Sequence, residues 1–184
     1  MASSVKEDQT WHIRAERPED APLVDALNAT TFGPGRFAKS AYRLREGVDP
    51  VPELSFIAVE GSELRGSVRF WPIVVAGARL LLLGPLAVQS DQRGRGIGIA
   101  LMNRGIEEAD AMGYPAIILV GDEPYYSRVG FAKLPPDSIR FPGPVDGARV
   151  LGLSLKSDAL KTIAGDVRRA RFDHPVAAGG ANYG

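Results

Sequence analysis

Residues 84–131, GPLAVQSDQRGRGIGIALMNRGIEEADAMGYPAIILVGDEPYYSRVGF, decide how this chain folds. The apolar run over 81–88 has the composition of a strand; Ser90, Asp91 and Gln92 interrupt it, and Gly94, Gly96 and Gly98 follow at alternate positions. Glycine takes up backbone dihedrals that a side chain forbids and lets a ligand come close to the main chain. A helix expected over 96–112 begins inside this turn, so its first unpaired N–H groups and its positive dipole end face the same spot. That arrangement suits an anion, phosphate above all. The expected cradle is the main chain of Gly94, Arg95, Gly96, Ile97 and Gly98, with the Arg93 and Arg95 side chains adding charge at its rim.

Two familiar phosphate sites do not fit. A dinucleotide fold requires G-x-G-x-x-G, whereas the spacing here is G-x-G-x-G and Ile99 stands where the third glycine belongs. Asp122 imitates the ribose-binding acid of that fold but lies later than the usual roughly 20 residues on. A P-loop needs Gly-Lys-Ser/Thr, which is absent.

Working outward, Met102, Gly105, Ile106, Ala109 and Met112 share one face of the helix, as a buried stripe does. Gly105 costs about 1 kcal/mol against alanine, so close packing on a sheet is expected there. Gly113 ends the helix. Residues 115–120 are apolar throughout, a strand buried on both faces. A turn at 121–124 leads to a short helix with Tyr125 and Tyr126, then a strand at 131–133. Upstream, strands at 11–17, 55–60, 64–75 and 79–88 form an antiparallel meander, since Gly61-Ser62-Glu63 and Gly77-Ala78 are turn chemistry. Helices are expected over 18–32 and 36–46, the second with Phe37, Ala41 and Leu44 at helical spacing. Gly84-Pro85 inside the fourth strand marks a bulge. Residues 134–149 read as a long loop, 150–155 as a last strand, 156–172 as a helix and 177–184 as disordered. The chain divides into a flexible N-terminus (1–10), one folded domain (11–155) and a C-terminal extension (156–184).

The 184 residues carry 22 Lys plus Arg and 22 Asp plus Glu. No net field therefore draws the chain to nucleic acid or an anionic membrane. Cysteine is absent, which excludes disulfides, thiolate metal sites and an acyl-cysteine intermediate. His12 and His174 lack metal-ligand spacing, so no metal is expected. The first ten residues have no apolar signal-peptide core, and the most apolar stretch, 73–88, is too punctuated for a membrane span. A cytoplasmic protein is the expectation.

R-x-x-G-x-G, formed by Arg93, Gly96 and Gly98, is followed about 30 residues later by Y-x-x-x-G-F, formed by Tyr126, Gly130 and Phe131. Together they resemble the GNAT superfamily of acyl-CoA-dependent N-acetyltransferases. The block GDEPYYSRVGF is similar to the bacterial YhbS-like subgroup, from which it departs by placing Glu123 between Asp122 and Pro124. The resemblance spans roughly 11–155 and implies an α+β GNAT fold: a central mixed, mostly antiparallel sheet of about six or seven strands flanked by helices. It implies acetyl-CoA as co-substrate, with the first motif holding the coenzyme pyrophosphate. Main-chain groups of Leu86, Ala87 and Val88 would meet the pantetheine arm, and the bulge would leave an N–H for the thioester carbonyl. The first two helices would form a wall of the acceptor pocket. The acceptor would be a small-molecule amine or a protein N-terminal amine, and a homodimer is common among such proteins.

Within that resemblance Tyr126 is the candidate proton donor to the departing thiolate, because a phenol near pKa 10 stays protonated at neutral pH. Tyr125 lies about 100° away around the helix and reads as packing. Glu123 is the candidate general base, chosen from Glu123, Asp122 and Glu60; helix capping explains these acids equally, and a water relay with no dedicated base is the alternative. Arg69 and Trp71 alternate on the third strand, fitting either an acceptor site or a solvated face. The run Arg168, Arg169, Ala170, Arg171 reads as a solvated helix end. A coenzyme A-binding regulatory module with little catalysis is the alternative function.

Overall fold

The computed structural model describes residues 9–170. The expected flexible start and disordered tail lie largely outside them. Strands β1 (His12–Ala15), β2 (Phe56–Glu60), β3 (Glu63–Val75) and β4 (Ala78–Val88) form the antiparallel meander. Helix α1 (Ala21–Phe32) enters between β1 and β2. The second helix expected there is shorter: a 3-10 turn at Pro34–Ala38, then α2 (Ser40–Arg43). Lys39 between them is extended (φ −73°, ψ 139°), which keeps the segment from becoming a continuous helix.

Helix α3 (Ile97–Ala111) carries the chain from β4 to β5 (Ala116–Val120), which runs parallel to β4. Helix α4 (Glu123–Tyr126) follows, then β6 (Ala132–Lys133), β7 (Ile139–Arg140), β8 (Val150–Ser154), α5 (Ala159–Thr162) and β9 (Gly165–Arg169). The principal strand order is β1-β2-β3-β4-β5-β8-β6, with β9 joining β3 and β7. These are nine strands among the described residues, two beyond the number expected.

Both additions fall where the sequence reading expected something else. β7 lies in the supposed loop, and within the helix expected over 156–172 only α5 is helical, while Gly165–Arg169 form β9. β3 is 13 residues long and β2 only 5, so β2 covers one end of that edge. β9 pairs with the other end, at Ile73, Val74 and Val75, and supplies partners to main-chain groups otherwise left open. Arg168 and Arg169 therefore stand on a strand, and the sheet continues past residue 155.

The apolar alternation of β4 separates two cores. Leu81 and Leu83 join Phe56, Phe70, Ile97, Leu101 and Ile117 under α3. Leu80 and Leu82 face the opposite side with Trp71, Ile73, Ile118 and Phe141. Successive strand residues point to opposite faces, which is why this run is apolar throughout. Val24 of α1 packs on Ile57 and Val59.

Candidate active site

β4 and β5 hold together at two places only, Leu81↔Ile117 and Leu82↔Ile118. Beyond them the edge of β4 from Leu83 to Val88 has no strand beside it among the described residues. The sheet thus opens at the C-terminal ends of its one parallel principal pair, and α3 and α4 start on either side of the opening. Crevices of this kind are where α/β sheets bind ligands.

The glycine turn forms the upper rim. Gly94 and Gly96 have φ of 81° and 79°, in the left-handed region that favours glycine. Gly96 caps α3, no side chain caps the helix, and the first helical hydrogen bond is Ala100 N–H to Gly96 O at 3.0 Å. The N–H groups of Ile97, Gly98 and Ile99 precede that bond and have no partner within the helix. An uncapped start on a 15-residue helix, beside an unpaired strand edge at Leu86, Ala87 and Val88, fits a diphosphate with an extended arm. Arg93 is exposed and has no side-chain partner among the described residues. Arg95 differs: it pairs with Glu60 at 2.9 Å and reaches Thr10 and Gln92. Arg95, Thr10 and Arg65 hold the Glu60 carboxylate down to about 2.

The two tyrosines of α4 serve different surroundings. The Tyr125 hydroxyl packs against α3, only 2.2 Å from where a Cβ on Gly98 would stand. Tyr126 lines a cavity of about 660 Å³ together with Leu83, Gly84, Pro85 and Leu86 of β4. Its ring stands edge-on to Tyr125 at 5.1 Å and to Phe131 at 6.3 Å. Burial, helped by Tyr125 and Asp122 and opposed by Arg149, pushes its phenol up to about 12. The neutral form therefore persists throughout the physiological range.

The Gly84-Pro85 bulge is present. Val68 pairs with Leu86 and Phe70 with Leu83, so β4 carries one extra residue there, and the Gly84–Pro85 peptide is cis. Trp71 Nε1 donates to Gly84 O at 2.6 Å.

Residues of α1 and of the segment through α2 wall the cavity, including Asn28, Ser40 and Arg45, as do Arg69 and Trp71. Arg69 is firmly held, meeting Glu16 at 2.5 and 3.0 Å and Asp25 at 3.1 Å. Burial lowers the Arg69 pKa, but these carboxylates outweigh it and the net direction is up. Arg45 is not held in this way. Its Nε is shut off from solvent without a hydrogen bond, and Asn28 Oδ1 is similarly unpaired. The Arg45 guanidinium lies 5.8 Å from the Trp71 ring. Burial, with a smaller contribution from Arg69 and against Tyr42, lowers it to about 10.

Glu123 does not line this cavity. It sits in the first turn of α4 and pairs with Lys133 at 3.2 Å, both side chains well exposed. Sequence reasoning missed Arg45, Arg149 and Asn28, which line the cavity from separate segments. An arginine after a short helix carries no pattern that separates it from a solvated one. Among the described residues no helix is long and apolar enough to cross a membrane, and no cluster of His, Cys, Asp or Glu is placed to hold a metal ion.

Residues 21–133 match the family model described as Acetyltransferase (GNAT) family. The chain belongs to this family. An uncharacterized GNAT-type relative, the N-acetyltransferase YhbS of Escherichia coli K12, is 35% identical over 156 residues, 83% of this chain and 92% of the relative. The crystal structure of the GNAT family N-acetyltransferase YhbS from E. coli in complex with CoA superposes with a TM-score of 0.71 at 32% identity, covering 89% of this chain and 93% of that one. A GNAT family acetyltransferase from Brucella melitensis in complex with acetyl-CoA gives 0.64 at 26% identity, over 87% and 96%. The GNAT fold and acetyltransferase class expected from the paired motifs are thereby established.

Proposed function

We propose that the chain transfers an acetyl group from acetyl-CoA directly to a primary amine, on a small molecule or a protein N-terminus, held in the cavity that Tyr126 lines. The supporting observation is the sheet opening. It joins the uncapped start of α3 to that cavity along the free edge of β4. The E. coli and Brucella relatives are in complex with CoA and acetyl-CoA respectively.

The co-substrate supplies an activated acetyl thioester. In this reading the amides from Gly94 to Gly98 take its diphosphate, with Arg93 adjacent, and the main chain of Leu86, Ala87 and Val88 takes the extended arm. Tyr126 directs its hydroxyl at the sulfur. The amine nitrogen bonds to the carbonyl carbon, the carbon–sulfur bond breaks, and the sulfur receives a hydrogen bond or proton from Tyr126. A phenol near 12 is a weaker acid than a thiol near 8.5, so hydrogen bonding is its main contribution. The amine proton leaves to water. Glu123 takes no part, because its carboxylate is paired outside the cavity.

The test is acetyl-CoA-dependent thiol release over an amine panel, with wild type and Tyr126→Phe. The variant should lose about 100-fold in kcat and keep its coenzyme affinity by calorimetry. The wild-type rate should rise as the amine deprotonates and show no second fall from Tyr126 below about pH 10. Unchanged turnover in the variant at every pH would remove Tyr126 from the reaction. Absence of turnover with any amine, alongside tight coenzyme binding, would favour the regulatory module instead.

A further inference from the structure

The cavity holds one cation that acetyl transfer does not require. Several basic side chains line it, but most have partners: Arg69 is clasped by Glu16 and Asp25, and Arg149 pairs with Asp122 at 3.3 Å. Arg45 has none among the described residues. No carboxylate lies within ion-pair distance, its Nε makes no hydrogen bond, and its guanidinium stands 5.8 Å from the Trp71 ring. One terminal nitrogen stands 2.8 Å from where a Cβ on Gly84 would be, so the guanidinium sits against the β4 bulge. Leu44, next to it in sequence, is fully buried and anchors the segment. A half-buried charge without an ion pair opposes folding unless something completes it, and no carboxylate among the described residues does.

A guanidinium is a rigid planar fork whose natural complement is a carboxylate, taken by two parallel hydrogen bonds. We propose that the acceptor is a carboxylate-bearing amine of amino-acid type, whose carboxylate is bound by Arg45 beside the bulge. This rests on the reading of the cavity as the acceptor site. A phosphate monoester carries about −1.5 to −2 at neutral pH and would want a second cation close by; Lys39, which lines the cavity without a carboxylate partner among the described residues, is exposed and stands over the Phe32 ring at 5.5 Å. The position matters as much as the charge. Arg45, Gly84, Leu86 and Tyr126 line the same cavity, and the Arg45 guanidinium stands against Gly84, so in this proposal the carboxylate and the reacting amine belong to one small molecule. That favours a free amino acid over a protein N-terminus, whose terminal carboxylate is remote.

The experiment compares kcat/KM for free amino acids, their carboxamides and phosphoethanolamine, in wild type, Arg45→Met and Arg45→Lys. Wild type should prefer the best amino acid to its carboxamide by about 100-fold. Arg45→Met should abolish that preference, Arg45→Lys should keep part of it, and coenzyme affinity should stay constant. Arg45→Met should also melt at a higher temperature, because a half-buried charge without an ion pair is removed; a merely structural arginine would melt lower. Equal use of the carboxamide, preference for phosphoethanolamine, or an equal loss on all amines in Arg45→Met would each overturn the proposal. Should no amine turn over, the transfer reading fails, and calorimetry with N-acetyl amino acids and N-acetyl amino-acid amides on coenzyme A-saturated protein still tests Arg45. Selective, Arg45-dependent binding of the acids supports it; equal binding of acids and amides refutes it.

Discussion

Replacing Gly98 with alanine puts a methyl group where α3 and α4 meet. Its Cβ would stand 2.2 Å from the Tyr125 hydroxyl oxygen, 3.5 Å from Tyr125 Cζ and 3.6 Å from Val88 Cγ2. Carbon–oxygen contacts settle at about 3.3 Å or more, so the hydroxyl must retreat by about 1 Å. Alanine gains up to about 1 kcal/mol over glycine in a helix, whereas forced repacking of this kind costs about 1–3 kcal/mol. The single variant should therefore lose about 1 kcal/mol. Tyr125→Phe removes the offending oxygen and leaves Cζ at an ordinary 3.5 Å. In that background Gly98→Ala should stabilise by up to about 1 kcal/mol, giving a coupling of about 2 kcal/mol in a double-mutant cycle. Urea denaturation of the four proteins measures it. Tyr125 stands edge-on to Tyr126, so kcat should fall in the single variant and recover in the double. Additivity within about 0.5 kcal/mol would refute the packing argument.

Other positions give sharp expectations. A Cβ on Gly105 would lie 2.2 and 2.4 Å from ring carbons of Phe70, which has no exposed surface to retreat into. Gly105→Ala should lower the melting temperature, losing about 1–3 kcal/mol despite its better helix propensity; a higher melting temperature would contradict that. The Asp20 carboxylate accepts from Arg14 at 2.7 and 2.9 Å and from Arg17 N–H at 2.7 Å, and these bonds hold it down to about 2. A depressed carboxylate stabilises above its unfolded value near 3.8 and loses that contribution as pH falls through about 2. Asp20→Asn should cost about 1–2 kcal/mol at neutral pH and little near pH 2; an equal loss at both would rule out charge as the cause.

Local chemistry made part of this molecule legible in its sequence. The meander follows from turn residues, α3 from its apolar stripe, and the opening beside β4 from alternate glycines and a proline-marked bulge. Gly105 was readable as a close contact because a mid-helix glycine needs compensation, and Phe70 supplies it. β9 was not readable: only Val167 of its residues is buried, so its period is invisible and its alanines, leucine and basic residues upstream and downstream look helical. Its existence depends on the length difference between β2 and β3, which is a tertiary fact. Arg45 escaped for a related reason. Its meaning lies in what is missing around it, and Arg69 and Trp71 became cavity residues only once α1, α2 and the segment through Pro144 and Arg149 enclosed the sheet.

A crystal structure of the protein with coenzyme A tests the central claim most directly. The account predicts the diphosphate on the amides from Gly94 to Gly98, the pantetheine arm along Leu86–Val88, and the thiol facing the Tyr126 hydroxyl in the cavity. A coenzyme bound elsewhere, or a Tyr126 hydroxyl turned away from the sulfur, would contradict it.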